Sequence, residues 1–559
     1  MVNRGSKKLG DLLTLANGLV LLILINILSS QYYFRADLTE EKRYEIKDAT
    51  KTILKRLDDQ VFVEVYLEGE LNAGFRRFKN SIRETLDEFR VYSDGKVQYT
   101  FTDPATAVSR KAQAEFMRDV ASKGIQPTKV IDTRDGQRTE KLIFPGAVVA
   151  YGGAETGVQL LKGNKAATQE EEINQSIEGV EFELANAIYK LSNDSPKKIG
   201  FVSGHDELSG LEAIAFKQAA NEVYDISDVE LTKDLSSYDV LVIAKPKKEF
   251  SPLEKFNLDQ YLLQRGNVML LLDKLDASMD SASNPNYIAF PYPVNLDDQL
   301  FRYGLRINPD LIEDRTSGKY PIVTGQSGSR PQIQLIDWPF FPLINQYSSH
   351  PITNNLDGVV LQFVSSIDTV KAVGITKTPL MFTSQYSRAL TAPVNVNIQS
   401  VIRNDNPQQF TTPHIPIGYL LEGKFTSLFK NRFLPTGADS IHFKPDGKEA
   451  KLLVISDGDI AKNVVHPRTR QPQPLGLDVF TNTTFANKDL LMNMLAYLTD
   501  ENGLITARTK EIKIRPLDRE KIVSEKIKYQ LINIVLPILL MLVFAVVRSI
   551  LRKRRYASF

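Results

Sequence analysis

The 559-residue chain predicts an α/β protein carrying an apolar helix at each end. Two observations support this. Apolar runs lie close to both termini, and between them short runs of Val, Ile and Leu alternate with helical patterns. Strands apolar throughout, alternating with helices, form parallel sheets covered on both faces. A chain this long exceeds one core and divides into several domains.

The first apolar run, Leu12–Leu28, follows Arg4, Lys7 and Lys8; the last, Leu531–Val547, precedes Arg548, Arg552, Lys553, Arg554 and Arg555. Each is near the lower limit of about 17 residues for crossing a hydrocarbon core of about 30 Å. Positive charge marks the cytoplasmic side, so two crossings put both termini in the cytoplasm and the body in the periplasm. Tyr32, Tyr33 and Tyr529 suit an interfacial aromatic belt. A cleavable signal peptide ending near Ser29 and Ser30 is the alternative for the first run. The length of that run, the missing A-x-A pattern and Asp11 oppose it. Asn17, Asn26 and Asn533 are costly in lipid and are candidate contacts to partner helices, unless they lie at the interfaces.

Between the runs, Lys47–Leu57 has a helical pattern and VFVEVYLEG (Val61–Gly69) alternates as a strand. Phe75, Phe78, Ile82, Leu86 and Phe89 recur at helical spacing over Phe75–Arg90, and Lys96–Pro104 is a second strand. AQAEFMRDVASKG, KLIF, GAVVAYG and NQSIEGVEFELANAIYKLS complete a β-α-β then α-β-β-α order. That order is thioredoxin-like; without Cys-x-x-Cys it is only a scaffold. Ser192–Lys198 reads as a linker. Beyond it come the strand IGFVSGHDEL (Ile199–Leu208), a helix over Leu211–Glu222, a strand near Val229–Leu231 and the strand DVLVIAKP (Asp239–Pro246). Ser251–Gly266 opens on Ser-Pro as cap and first-turn residue and closes on glycine. NVMLLLD (Asn267–Asp273) is a further apolar strand. The stretch from Ser278 to Phe443, rich in proline, asparagine and aromatics, reads as a β-rich insertion or subdomain. AKLLVISDGD (Ala450–Asp459) and the helical Asn487–Asp500 resume the α/β pattern, and a charged helix, Asp518–Tyr529, leads into the last run. The expected segments are 1–30, 31–193, 194–277, 278–443, 444–517 and 518–559.

Composition excludes several functions. With 69 basic and 67 acidic side chains there is no basic excess to hold a nucleic acid. There is no cysteine, which removes disulfides, thiolate metal sites and a cysteine nucleophile. Five histidines stand singly, without HExxH spacing. No G-x-x-x-x-G-K-[ST] phosphate loop occurs, so the chain is not an ATPase subunit. No G-x-S-x-G elbow occurs either, although Gly325–Ser329 comes near. No cofactor and no catalytic residue is expected. In open parallel sheets ligands bind beyond the carboxyl ends of the strands. His205, Asp206, Glu207, Asp273, Asp457 and Asp459 fall there and are candidates for one ligand crevice, holding a hard cation or a polyhydroxylated ligand through oxygen. Turn formation and helix capping explain the same Asp and Gly residues without a ligand.

RADLTEEKRYEIKDATKTIL, IGFVSGHDEL, DVLVIAKPKKEFSPLEKFNLDQYLLQRGNVMLLLD, LLVISDGDIAKN and NKDLLMNMLAYLTDENGLITARTKEIKIRPLD together resemble the GldG family. These are gliding-motility-associated auxiliary proteins of ABC transporters in Bacteroidetes. The resemblance implies a permease partner, a separate ATPase subunit reached through it, and the inner membrane. It also implies an amidotransferase-like, intraflagellar-transport-like sheet; the nucleophilic cysteine of amidotransferases is missing here. The resemblance supplies no residue-level ligand site. The alternatives are a periplasmic receptor for a carbohydrate or peptide and, further off, a hydrolase or transferase.

Overall fold

A computed structural model describes residues 4–31, 45–103, 110–134, 137–162, 168–193, 196–264, 266–282, 284, 287–327, 330–398, 406–501, 503–509 and 519–556. Two compact units result, Met1–Lys510 and Glu511–Phe559.

The larger unit begins with α1 (Arg4–Gln31), whose apolar stretch Leu12–Ile27 is exposed and shorter than a full span. Asn17 and Asn26 lie on it, also exposed. Next comes a layer built from α2 (Asp48–Lys55), β1 (Val61–Val65), α3 (Ala73–Tyr92), β2 (Val97–Phe101), α4 (Arg110–Ser122), the hairpin β3 (Thr128–Arg134) and β4 (Gln137–Ile143), β5 (Gly146–Tyr151), β6 (Ala154–Gln159) and α5 (Gln169–Ser192). The sheet order is β2-β1-β5-β6, with β1 parallel to β2 and the other two pairings antiparallel. The β-α-β half of the order read from the sequence is present; the second half differs, because four strands lie between α4 and α5, with KLIF in the separate hairpin β3–β4 and β5 paired to β6, which carries no apolar run. Asn72 caps α3 by accepting from the Phe75 amide, and the five aromatic and aliphatic residues singled out above form its buried stripe. A Thr168/Glu171 capping box starts α5. Leu504, Ile505 and Ala507 return from the far end of this unit to the same core.

The second layer is an eight-stranded sheet. The sheet and the segments packed with it comprise β7 (Lys198–Val202), α6 (Ile214–Asn221), β8 (Asp225–Val229), β9 (Val240–Ala244), α7 (Pro252–Leu263), β10 (Asn267–Leu271), α8 (Asp297–Tyr303), β11 (Asp310–Asp314), β12 (Ser317–Ser327), β13 (Arg330–Ile344), β14 (Ile375–Phe382), β15 (Ser387–Thr391), β16 (Pro416–Thr426), β17 (Asp446–Ile455) and α9 (Asn487–Thr499). β7, β8, β9, β10, β14, β16 and β17, with the short edge strand Gln346–Tyr347, form the sheet, and β11, β12, β13 and β15 lie outside it. Five strands run parallel in the order β17-β10-β9-β7-β8. Numbered along the chain this is 2-1-3-4-5, a doubly wound sheet. β7, β9 and β10 are buried nearly throughout, and β17 over its apolar end Leu452–Ile455, as their apolar runs require. The strand placed near Val229–Leu231 is instead β8. It is an edge strand with three exposed residues, so its DISDV sequence shows no apolar run.

Segment 278–443 is partly integral to this sheet. β16 pairs antiparallel with β17, and β14 with β16. Leu420 and Leu421 are fully buried in the sheet cores. The remainder of the segment has a core of its own around Trp338, Phe340, Phe341 and Phe363, with β11 paired to β15 and β12 to β13. Part of the Gly325–Ser329 turn and the start of the expected Asp518–Tyr529 helix lie outside the described residues, as do Tyr32 and Tyr33.

Among the described residues of the smaller unit a single helix, α10 (Arg519–Tyr556), runs continuously through Pro537. Its stretch Glu525–Arg554 is long and apolar enough to cross a membrane. Leu536, Leu540 and Phe544 are 52%, 59% and 66% exposed, and Asn533 is exposed among them.

Candidate functional site

In a 2-1-3-4-5 sheet the crevice that receives ligands opens where the winding reverses, between β7 and β9. Here the chain fills it. The turn after β7 carries Gly204, at φ +128°, then His205 and Asp206. The Leu208 amide donates to the Ala244 carbonyl at 3.0 Å, and the Lys247 and Lys248 amides donate to the His205 carbonyl at 2.8 and 3.1 Å. These bonds zip the loop after β7 to the loop after β9.

His205 is buried under them, its ring stacked on Phe250 at 3.8 Å between centroids. Its Nδ1 lies 3.1 Å from Glu207 and its Nε2 3.3 Å from Glu254. Glu254 has a second task. It completes the capping box of α7, accepting from the Ser251 amide at 2.9 Å and its hydroxyl at 2.6 Å. Burial lowers the His205 pKa, but the two glutamates outweigh it and the net shift is upward. Asp206 points away, paired on the surface with Lys248 at 3.0 Å.

A second group sits at the ends of the next strands. Lys245 follows β9 in a left-handed conformation, φ +56°, which is strained for a residue bearing a Cβ. Its ammonium lies 2.9 Å from Asp273, after β10, and hydrogen-bonds Asp459, after β17. The Gly458 amide donates to Asp273 at 2.5 Å. Asp457 caps the turn beyond β17: its Oδ1 accepts from the Asp459 and Ile460 amides at 2.7 and 3.2 Å, and its Oδ2 from the Gln362 amide at 2.8 Å. Lys245 and the three aspartates are all buried. Burial raises the Asp273 carboxyl to about 6, helped by Asp459 and opposed by Lys245. Burial and both neighbouring carboxylates likewise raise Asp457, against the pull of its backbone donors.

The structure thus brings Asp273, Asp457 and Asp459 together but binds His205 and Glu207 into a separate cluster, and Asp206 into neither. Both groups are enclosed rather than lining an open crevice. Oxygen atoms of the three aspartates approach within 4.8 Å of one another, a spacing a metal ion could use. However, the Lys245 ammonium already serves as their cation, and a hard metal takes six or more oxygens. The donor set does not fit a resident metal. Sequence reading missed Lys245 and Glu254. AKP after an apolar strand carries no motif, while the Ser-x-x-Glu spacing of Ser251 and Glu254 signals only a cap.

Residues 196–494 match the family described as an ABC-type uncharacterized transport system, and residues 40–150 match a domain of unknown function, DUF7088. A Borreliella burgdorferi protein described as uncharacterized is 23% identical over 557 residues, covering 97% of this chain and 98% of its own. Among solved structures, the mmIFT52 N-terminal domain aligns over 54% of this chain and 97% of its own at 12% identity, with a TM-score of 0.31. A ThuA-like protein from Parabacteroides merdae aligns over 58% and 93% at 12% identity, with a TM-score of 0.24. Likenesses that distant bear on neither fold nor function. The family match spans more than half of the sequence, and the chain belongs to this auxiliary family of ABC-type transport systems.

Proposed function

We propose that this protein is a non-catalytic, membrane-anchored component of an ABC-type transport complex. In this reading its large body is periplasmic and docks on a permease that works with a separate ATPase subunit. The observation that carries it is α10, a continuous helix with exposed apolar flanks and a cationic end, in a chain of a transport family that lacks a phosphate loop. One or two spans are too few for a translocation path, so the pore belongs to another subunit. α1 supplies the second span, Asn17, Asn26 and Asn533 meet permease helices, and both termini are cytoplasmic. The first sheet is a thioredoxin-like scaffold. The non-catalytic reading is supported by the strand ends, where Lys245 is clamped between Asp273 and Asp459 and His205 between Glu207 and Glu254. The GldG resemblance extends this reading to gliding motility in the inner membrane of Bacteroidetes.

Two measurements test it. Affinity-tagged full-length protein extracted in mild detergent should co-purify a multi-span permease; recovery without one removes the docking proposal. The cysteine-free chain also allows clean thiol mapping. Ser237→Cys should react with an impermeant maleimide from the periplasm, and Ser558→Cys only after the inner membrane is opened. The reverse pattern rejects the topology.

A further inference from the structure

We propose that a cationic groove beside α8 binds a small organic anion, one joining a phosphate or carboxylate to a ring. The groove has a volume of about 750 Å³, within the roughly 300–1,000 Å³ of small-molecule sites. Its walls come from Lys274, just past β10, from α8, and from the turn after β16. The switch point between β7 and β9 is closed by its own loops, whereas this groove runs along α8 from Lys274, at the carboxyl end of β10, to the turn after β16, which lies at the amino end of β17.

Four cations, Lys274, Arg302, Arg306 and Arg432, line the groove against two carboxylates, Asp297 and Asp298. Lys274 is matched by Asp297, with contacts at 2.6 and 2.8 Å. The three guanidiniums are anchored differently. Arg302 Nε donates to the Ser427 carbonyl at 3.3 Å, Arg306 Nη2 to Asp368 at 2.8 Å, and Arg432 Nη1 to Asp298 at 2.8 Å. Each of these bonds uses one of the five N–H donors of a planar fork, leaving the others to receive an anion. Holding the forks in place beforehand reduces the ordering cost of binding. Phe301, next to Arg302 on α8, keeps its ring 54% exposed, above an apolar floor that includes Ile307 and Leu428. An aromatic face in water beside unspent guanidinium donors matches a ligand with a ring at one end and an oxyanion at the other.

The test needs no permease, so its failure leaves the transporter reading standing. Full-length protein in detergent is titrated with phenyl phosphate by ligand-observed NMR, with inorganic phosphate as the ring-free control. Saturable binding of phenyl phosphate, about tenfold tighter than inorganic phosphate, is expected. Arg302→Ala combined with Arg432→Ala should weaken it by about tenfold or more. Phe301→Ala should abolish the preference for the ring while leaving phosphate binding unchanged. All three side chains are exposed, so the variants should fold. Arg302→Lys with Arg432→Lys, which keeps the charge but loses the fork, should fall between. Absence of saturation, equal affinity for the two probes, or a double alanine variant that binds like the parent overturns the proposal.

Discussion

Replacing Lys245 by methionine removes the only cation found among Asp273, Asp457 and Asp459 in the described residues. The length and packing of the side chain are kept, so the charge is what changes. Lys245, Asp273 and Asp459 are 6%, 3% and 8% exposed, too little for water to replace the ammonium. Breaking a buried pair by deleting one partner costs about 3–5 kcal/mol, and that is the expected loss at pH 7.5. The loss should shrink in acid. The Asp273 carboxyl already sits at about 6 in the folded protein, above its ordinary 3.8. A carboxyl raised on folding contributes stability that is fully present below about 3.8 and lost as the pH climbs through about 6. Without Lys245 it rises further, so at pH 5 the carboxyls take up protons and the repulsion fades. A loss of about 1–2 kcal/mol should remain there, from the missing ion pair with Asp459. Urea unfolding of the detergent-solubilised full chain reads this through Trp338, the lone tryptophan, which is fully buried. Equal losses at the two pH values, or a loss under about 1 kcal/mol at pH 7.5, would refute the reasoning.

His205→Gln should flatten the pH dependence of stability above neutrality. The raised His205 pKa contributes stability fully present below about 6.5 and lost as the pH rises through the folded value; an unchanged slope in urea unfolding between pH 7 and 9 counts against the glutamate clamp. Gly458→Ala should cost about 2 kcal/mol or more in the same assay, because the new Cβ would lie 2.5 Å from the Lys245 Cβ and 2.8 Å from its Cα. A neutral result would mean that the turn after β17 yields freely. Leu540→Arg with Phe544→Arg places two charges on the apolar stretch of α10, at about 2.5–3.5 kcal/mol each. More of the protein should be released from membranes by carbonate, and unchanged retention would show that α10 is not the principal anchor.

What the sequence displays best is what a single element decides for itself. The stripe of α3 follows from side-chain spacing, the start of α7 from Ser251-Pro252, and the cap at Asp457 from an Asp-Gly turn after a strand. Pairings between distant segments were not visible. β16 reads as one more short run in a proline- and asparagine-rich stretch, and only the register of Leu420 opposite Leu453 shows that it continues the main sheet. The site divides in the same way. Asp273, Asp457 and Asp459 were predictable as strand-end residues because the parallel sheet forces their strands side by side. His205 follows β7, which β9 separates from β10 and β17, and its partners are the nearby Glu207 and the cap of α7. Lys245 was not visible because its role depends on carboxylates delivered by two other strands.

The way those strand ends are filled bears on what the body can do. Buried charges seldom add net stability, since desolvation offsets most of their attraction. Their effect is to penalise any arrangement that separates them. Sliding β9 away from β10 or β17 would leave Lys245 facing no carboxylate, and parting the loops after β7 and β9 would expose the His205 clamp and break three backbone bonds. Four of the five parallel strands, β7, β9, β10 and β17, are thus tied at their carboxyl ends as well as along their ladders. On the proposed docking, a body moved by a permease has to carry displacement without deforming, and an open crevice at the switch point would be its weakest line. Closing that line while leaving a groove beside α8 separates stiffness from recognition. A ligand at Arg302 and Arg432 would then shift the body's equilibrium only through α8 and the turn after β16, and only if it bound two positions of those elements unequally.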